Sequence, residues 1–551
     1  MEKGLKIMLV VLAIFGLATF AVAQQTQWEN ELTGTEVADP VDGDDATAEA
    51  ATVSQSATGI AVDADGIVYV CGTADDADGT VVWIASFNGS SGATIDVAAE
   101  DDLGASAGDD DRANDIAVDS ARNLVHVVGA TIDVTGDVND SDAFLWTVDT
   151  DAGELAGVED FATVFDVADG IDDDDAAADS GDDGNGEEAF GVAVDESNGN
   201  IYIVGGVDVA DDLDGIIWDG ATDWFACAFT YDGTDHDIAV QAVLVDTTAD
   251  DWVAYDCAFS GGFLYVCGAS DVAGNLRGFV AKRTGGALAD AGSVIYNDPD
   301  DAADNEDEYF SGIAVYGSAV YVCGSRTADD ATAGDDDLTD NGLVCKYPTD
   351  LSTLTWDTEI DDTDIGETDG DIFIHLEGIA CDGDAIYVTG HGGPDTAGAD
   401  GLEVEEEVLD AQETGDEDDS GAGAGEADDG ETEGDDADVS VVVVAKLNSS
   451  SGALIWDNTY NDADGFSQSG WAVAIAPALQ VAYIAGQVTG TGDTDRDGYV
   501  LSVSRGGSAG AGGAGAAGAG GGGGGGCGTI GLDALALIGI AYLVNRKARK
   551  S

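Results

Sequence analysis

The chain has 551 residues, and its 16 lysines and arginines against 112 aspartates and glutamates give a formal net charge of −96. So large a negative charge repels nucleic-acid phosphates and anionic lipid, which excludes nucleic-acid binding as a main activity. Charge excess of this kind can signal disorder. However, 44% of the residues are hydrophobic and aromatic residues recur at intervals, so most of the chain can build a core.

The N-terminus has the features of a secretory signal peptide. Lys3 and Lys6 precede an apolar stretch over residues 7–20, and Ala21-Val22-Ala23 forms a small-x-small site. This order predicts export and cleavage between Ala23 and Gln24, so that residues 1–23 are removed. An uncleaved membrane anchor is the alternative interpretation, and it also places the body of the protein outside the cytoplasm.

Residues 24–504 repeat one pattern seven times. Each copy begins with a short strand such as Gly312–Val315 and continues through a tight turn into a strand that ends in glycine, such as Val320–Gly324. A third and a fourth strand follow, as at Val443–Lys446 and Leu454–Asp457. Four short strands in each of seven copies predict an all-β fold, a seven-bladed β-propeller of four-stranded blades.

The two ends of this array predict how the circle closes. The seventh copy has its third strand at Tyr499–Ser502 and no fourth strand after it, whereas Gln27–Asn30 resembles the fourth strand at Ile455–Asn458. We therefore expect the N-terminal strand to complete the last blade, which removes the open sheet edges of the array.

The repeated segments resemble a known family. Gly59–Asp63, Tyr321–Gly324, Val444–Leu447 and the run from Gly452 to Gly486 are similar to the SBBP-type bacterial β-propeller repeat, and the resemblance covers about Gln27–Ser504. It implies an extracytoplasmic propeller and brings no catalytic residues. The chain departs from it in its long aspartate-rich loops, including an acidic low-complexity insertion at 397–438. The scarcity of lysine and the excess of aspartate over glutamate also resemble halophilic proteins.

The long acidic connections are expected on one side of the disc. Links from the first to the second strand and from the third to the fourth are short. Links from the second to the third strand, and from the fourth strand to the next blade, are long and acidic. Because strands alternate in direction, both long classes leave on the same side. An unknown ligand or partner bound there is expected to be cationic or basic, with an attraction that salt weakens.

One acidic segment has a spacing suited to calcium. Asp493, Asp495 and Asp497 alternate before Gly498, and carboxylate oxygens at such spacing can surround this ion. Solvated aspartates are the alternative, and no other cofactor is expected.

Histidine and cysteine suggest no site in the sequence. His236, His375 and His391 are scattered without H-E-x-x-H spacing, and His126 replaces a strand tyrosine, as a core residue would. The seven cysteines of the exported body include no C-x-x-C pair. We expect them to be small buried residues between blades.

The C-terminal segment has four parts in order. A Gly/Ala-rich linker at 505–526 precedes Cys527, and an apolar run at 530–544 precedes four basic residues. This order resembles the bacterial sorting tags of the MYXO-CTERM and rhombosortase type. The resemblance implies that 527–551 is a sorting and anchor segment, with Cys527 as a sorting or lipidation residue, and that the protein is associated with the cell surface or the outer membrane. A single-pass membrane helix is the alternative.

These features favour a non-enzymatic module, an exported, surface-anchored propeller with a binding or structural, adhesion-like role. The alternative is an extracytoplasmic propeller enzyme, a lyase or glycoside hydrolase acting at the mouth of the central channel. The sequence disfavours the enzyme because no His, Arg and Lys residues are seen to converge on the side of the long loops.

Overall fold

A computed structural model describes residues 26–32 and most of 54–504; the longest gaps in the second range are 166–186, 208–222 and 395–439. All of the regular secondary structure that it describes is β-strand. The described part of the chain contains no helix long and apolar enough to cross a bilayer. The signal segment, the linker and the sorting segment lie outside the described residues.

In the part of the chain that the structure describes, twenty-nine strands form the seven blades. The first three blades consist of β2 to β5 (Gln55–Val62, Ile67–Asp76, Gly79–Asn88, Thr94–Glu100), β6 to β10 (Asp110–Asp119, Leu124–Asp133, Asp140–Asp151, Glu154–Ala156, Ala162–Phe165) and β11 to β14 (Glu187–Asp195, Asn200–Val207, Asp223–Tyr231, His236–Val245). The next three consist of β15 to β18 (Trp252–Ser260, Phe263–Asp271, Leu276–Thr284, Asp290–Ile295), β19 to β22 (Glu308–Tyr316, Ala319–Asp329, Leu338–Pro348, Trp356–Ile360) and β23 to β26 (Ile372–Cys381, Ala385–Pro394, Val441–Asn448, Leu454–Tyr460). The seventh consists of β27 to β29 (Ser467–Ala476, Val481–Thr489, Arg496–Ser504) and β1 (Thr26–Leu32).

The first strands of the blades form a closed ring. They contact one another in the order β2, β6, β11, β15, β19, β23, β27, and β27 contacts β2. The strands therefore surround a central channel, and the all-β, seven-bladed prediction is confirmed.

The N-terminal strand closes the ring, as the sequence predicts. Strand β1 pairs antiparallel with β29, with Trp28 opposite Ser502 and Glu31 opposite Tyr499. The seventh blade thus gains its fourth strand from the opposite end of the chain, and its outer edge is no longer β29.

The hydrophobic core is divided among the blade interfaces. Each of seven clusters of buried side chains combines residues from two successive blades, including blades seven and one. Six of the seven described cysteines are buried and all seven are free thiols. Cys257 lies opposite Val266 rather than opposite Cys267.

The repeated tyrosine of the second strand joins several of the blades to the next one. The Tyr202 hydroxyl donates to the Gly285 carbonyl at 2.9 Å, and that of Tyr483 donates to the Gly89 carbonyl at 2.8 Å. Each acceptor lies in the hairpin between the third and fourth strands of the following blade. Tyr387 precedes the seventh blade, which has no such hairpin because β1 comes from elsewhere, and its buried hydroxyl has no partner among the described residues.

Two aspartates make a second connection between blades. The Asp115 carboxylate accepts backbone N–H groups from Ile116 and, in the next blade, from Val192 at 2.9 Å. Asp256 does the same for Cys257 and for Ile313 of the next blade, at 2.8 Å. These two carboxylates therefore have a structural role, because each holds backbone N–H groups of two blades. The acidic residues of the loops are not assigned such a role.

Candidate active site

A bulge in every first strand supplies the centre of the ring with side chains. In each strand one residue is skipped by the pairing with the second strand: Thr58, Asn114, Phe190, Tyr255, Ser311, Glu377 and Trp471. Bulges redirect the side chain of the extra residue. Burial raises the pKa of Tyr255 in blade four, and so does the charge of Glu377 in blade six. Because these blades are not neighbours, this influence indicates that both side chains project towards the axis of the ring.

The glycine that ends each second strand makes this bulge possible. A Cβ atom on Gly390 would lie 1.8 Å from the His375 carbonyl oxygen, and one on Gly205 would lie 1.9 Å from that of Glu188. All seven glycines at this position show the same conflict with the first strand, two residues before its bulge. The repeated glycine therefore allows the close approach on which the channel-lining geometry depends.

Blade six brings two histidines and a carboxylate together. His375 of β23 lies opposite His391 of β24, and their ring centroids are 5.3 Å apart. Glu377 is the bulged residue of the same strand, and one donor atom from each of the three residues lies within 4.8 Å of the others. Both histidines lie near the strand ends that lead to residues 362–371 and 395–439, so the cluster is at the channel mouth on the side of the long acidic connections.

Neighbouring blades complete this site. The Asp340 carboxylate of blade five is 2.9 Å from Nε2 of His375, and these side chains are 19% and 16% exposed, so both are shielded without being closed off. The Tyr309 ring of the same blade packs edge-on against His375, with centroids 6.2 Å apart. Trp471, the bulged residue of blade seven, is 5.8 Å from the His391 ring.

Burial sets the protonation states of the cluster. It raises the pKa of Glu377, an effect that the nearby His375 partly opposes. Burial, and secondarily His375, lowers the pKa of His391 to about 3, so this imidazole is neutral at ordinary pH. Burial also raises the pKa of the Tyr309 hydroxyl, which therefore keeps its proton. The site thus combines proton donors and unprotonated acceptors in one place.

A second polar group lies at the channel in blades two and three. Arg112 Nη2 is 2.5 Å from the Glu188 carboxylate, and Asn114 Nδ2 donates to the same group at 2.7 Å. Glu188 thus has a guanidinium and an amide as hydrogen-bond partners. Glu377 differs, because no hydrogen bond to its carboxylate is formed by the residues that the structure describes.

The residues singled out in the sequence fall elsewhere. Asp497 lies in β29 opposite Val488, but the structure does not describe its side chain. Asp493 and Asp495 lie outside the described residues. Ala23, Gln24 and Cys527 also lie outside them. His126 is buried against Thr147, with 2.8 Å between Nδ1 and Oγ1.

The comparisons with known proteins return structures only. No protein-family profile matches the chain, and no curated protein matches it. Among solved structures, polysaccharide lyase Uly1 is 9% identical over 87% of this chain and 100% of its own, with a TM-score of 0.45. The propeller domain of the Trilobed protease from Pyrococcus furiosus is 7% identical over 81% and 95%, with a TM-score of 0.37. The α-L-arabinanase of Penicillium chrysogenum is 7% identical over 87% and 98%, with a TM-score of 0.36.

The geometry of the site corrects the prediction of a non-catalytic, adhesion-like module. It depended on the premise that no basic groups converge at the loop side of the channel. The structure contradicts this premise, since His375 and His391 meet there with Glu377. The geometry of this cluster therefore favours the enzyme alternative over the first interpretation.

The sequence did hold a signal for this site. The residue before the G-I-A-V-like segment differs in every copy (Thr, Asn, Phe, Tyr, Ser, Glu or Trp), whereas the positions around it are more similar between copies. Variation confined to one position of a repeat indicates a position that packing does not fix. The pairing of His375 with His391 could not be seen in this way, because it requires the register of β23 and β24.

Proposed function

We propose that this protein is an exported propeller enzyme that cleaves a polysaccharide at the channel mouth of blade six. The observation that supports it is the convergence of Tyr309, Asp340, His375, Glu377 and His391 from two neighbouring blades. Hydrolysis of a glycosidic bond uses a general acid together with a nucleophile or a water-activating base, and elimination uses a base and an acid. Tyr309 and Glu377 offer protons that can be given, and the His375 imidazole offers an acceptor.

Aromatic rings beside the cluster suit a sugar chain. Trp471 borders His391, and Phe190 and Tyr255 pack together with ring centroids 5.8 Å apart. Such rings present flat apolar faces that can cover the apolar face of a sugar while the polar groups fix its orientation. The net charge of −96 favours a neutral or cationic polymer over an anionic one.

The groups suit both hydrolysis and elimination, but elimination requires a uronate, an anionic sugar that the net charge of −96 disfavours. Different side chains would serve the two reactions. A raised pKa is what a glycosidase acid needs, and Glu377 has it. An imidazole held by a carboxylate beside a tyrosine that keeps its proton suits the removal of a carbon-bound proton in elimination, and His375 with Asp340 and Tyr309 has that arrangement.

The test is a screen of neutral, cationic and uronate-containing polysaccharides with the mature chain. Hydrolysis releases reducing ends alone, whereas elimination releases reducing ends together with a double bond that absorbs ultraviolet light. We expect His375→Ala and Tyr309→Phe to lower kcat/KM by about 10²-fold or more. Tyr316→Phe, at the other end of the same strand and 50% exposed, is the matched control and should leave the activity unchanged. Absence of cleavage across the panel, or fully active variants, would refute the proposal.

Export and attachment are part of the same proposal. The signal segment ending at Ala23 and the sorting-tag resemblance at 527–551 support a cell-surface location, and the repeated motifs support an SBBP-type ancestry of the blades. Mass spectrometry of the native protein should find Gln24 as the first residue and a processed or lipidated Cys527. An intact N-terminus and an unmodified tail would contradict this part of the proposal.

Calcium binding by Asp493, Asp495 and Asp497 is retained as a separate proposal, supported by their spacing alone. Calorimetric titration with calcium should give a weak binding heat that Asp495→Ala and Asp497→Ala reduce. A wild-type protein without such heat at millimolar calcium would contradict it.

A further inference from the structure

We propose that His375, Glu377 and His391 bind a divalent transition metal ion of the zinc class at the channel mouth. Neither the sequence motifs nor the resemblances of the chain predict this site. Its use in catalysis rests on the proposed function, but the binding of the ion does not.

The backbone places the three side chains as a set. His375 and His391 are direct partners on adjacent antiparallel strands, so their side chains leave the same side of the sheet. Glu377 is two residues from His375, and the bulge at Glu377 alters the direction of its side chain. Donor atoms of the three residues lie within 4.8 Å of one another, a spacing that a single ion can bridge after small side-chain rotations.

The contact with Asp340 prepares His375 as a ligand. Nε2 of His375 lies 2.9 Å from the Asp340 carboxylate, which can only accept, so Nδ1 is the nitrogen that remains to face an ion. A carboxylate behind a histidine is the arrangement that commonly fixes the tautomer and ring orientation of metal-ligating histidines. Asp340 is thus a positioning residue rather than a ligand.

Two ligand groups lack other partners. Nδ1 of His391 is shielded from solvent and has no hydrogen-bond partner among the described residues. The Glu377 carboxylate likewise receives no hydrogen bond from the described part of the chain. A buried polar atom left unpaired costs about 1–3 kcal/mol, and an unpaired charge costs more. A bound cation would satisfy both groups.

The type of donor selects the metal. Two imidazoles and one carboxylate are a zinc-binding set with room for a water molecule, whereas calcium and magnesium prefer oxygen donors alone. A zinc ion lowers the pKa of its bound water to about 7, which would provide the proton acceptor beside the Tyr309 hydroxyl.

The binding test uses the whole mature chain, freed of metal by a chelator and then dialysed against limiting zinc with excess magnesium. Excess magnesium occupies the many acidic groups that bind ions weakly through oxygen. We expect one zinc ion per chain by elemental analysis, and cobalt in its place should show visible absorption bands. His375→Ala and His391→Ala should abolish this stoichiometric binding. Asp340→Asn should weaken it about 10- to 100-fold.

His126→Tyr is the matched control. It removes a histidine from another blade and installs the residue that most other blades carry there, and it should retain the zinc. Melting curves verify that each variant is folded. Failure of the wild type to retain zinc, or equal retention by folded His391→Ala, overturns the metal site. Zinc retention by a protein that cleaves no polysaccharide would support the metal site and refute only the proposed function.

Discussion

At the scale of single residues, the repeated positions have separable tasks. The second-strand glycine admits the bulge, the tyrosine joins successive blades, and the residue in the bulge is free to vary. Each task depends on a specific contact. A substitution at that position can therefore be compared with the same substitution at a similar residue that lacks the contact.

Gly205 and Gly206 are adjacent residues with opposite expectations. A Cβ atom on Gly205 would lie 1.9 Å from the Glu188 oxygen, whereas one on Gly206 would meet nothing closer than 3.6 Å. We expect Gly205→Ala to lower the free energy of unfolding by about 3 kcal/mol or more, through overpacking against backbone. Gly206→Ala should leave it unchanged or raise it by about 0.4–1 kcal/mol. Denaturant titration compares the two, and equal effects would contradict the assigned role of the repeated glycine.

Tyr202 and Tyr387 form a second matched pair. Tyr202→Phe removes the hydrogen bond to Gly285 and should lower the free energy of unfolding by about 1 kcal/mol. Tyr387→Phe removes a buried hydroxyl without a described partner, so it should be neutral or stabilising. The measurement is again denaturant unfolding, and a larger loss for Tyr387→Phe than for Tyr202→Phe would be inconsistent with this account.

Asp256 gives a prediction of pH dependence. Burial, and secondarily the charge of Asp115, raises the pKa of Asp256 in the folded state, against the lowering by its two backbone N–H donors. A carboxyl whose pKa is raised by folding favours the folded state when protonated, so its contribution to stability falls as pH rises above the unfolded value of about 3.9. Asp256→Asn should therefore gain stability relative to the wild type as pH rises from about 4 to 8. A difference between the two proteins that does not change with pH would contradict the raised pKa.

At the scale of elements, closure of the ring by β1 can be tested by deleting that strand. Deleting residues 24–32 removes β1 and leaves β29 as an open edge of the seventh blade. We expect the Tm to fall by at least about 5 °C, because a whole strand of backbone pairing is lost. Deleting residues 507–515 of the Gly/Ala linker, also nine residues, is the control and should leave the Tm unchanged. Equal Tm values for both deletions would refute closure by β1.

At the scale of the whole molecule, the net charge of −96 sets the response to salt. Like charges repel over a Debye length of about 30 Å at 0.01 M salt but only about 3 Å at 1 M. We therefore expect the free energy of unfolding to fall as salt is removed, in keeping with the halophile-like composition. Thermal unfolding between 0.01 and 1 M sodium chloride measures this, and a Tm independent of salt would contradict it.

The sequence by itself determined the number of blades, the order of strands in each and the closure by the N-terminal strand. These features depend on local patterns, namely alternation, turn residues and the repeated glycine, which are written in every copy. It did not determine the candidate site. His375 and His391 are separated by a hairpin, Asp340 and Tyr309 come from the neighbouring blade, and Glu377 reaches the axis through a bulge. Only strand register and the packing of blade against blade bring these side chains together. The reason is that the site is shared by neighbouring blades of the closed ring and is not contained in any one segment.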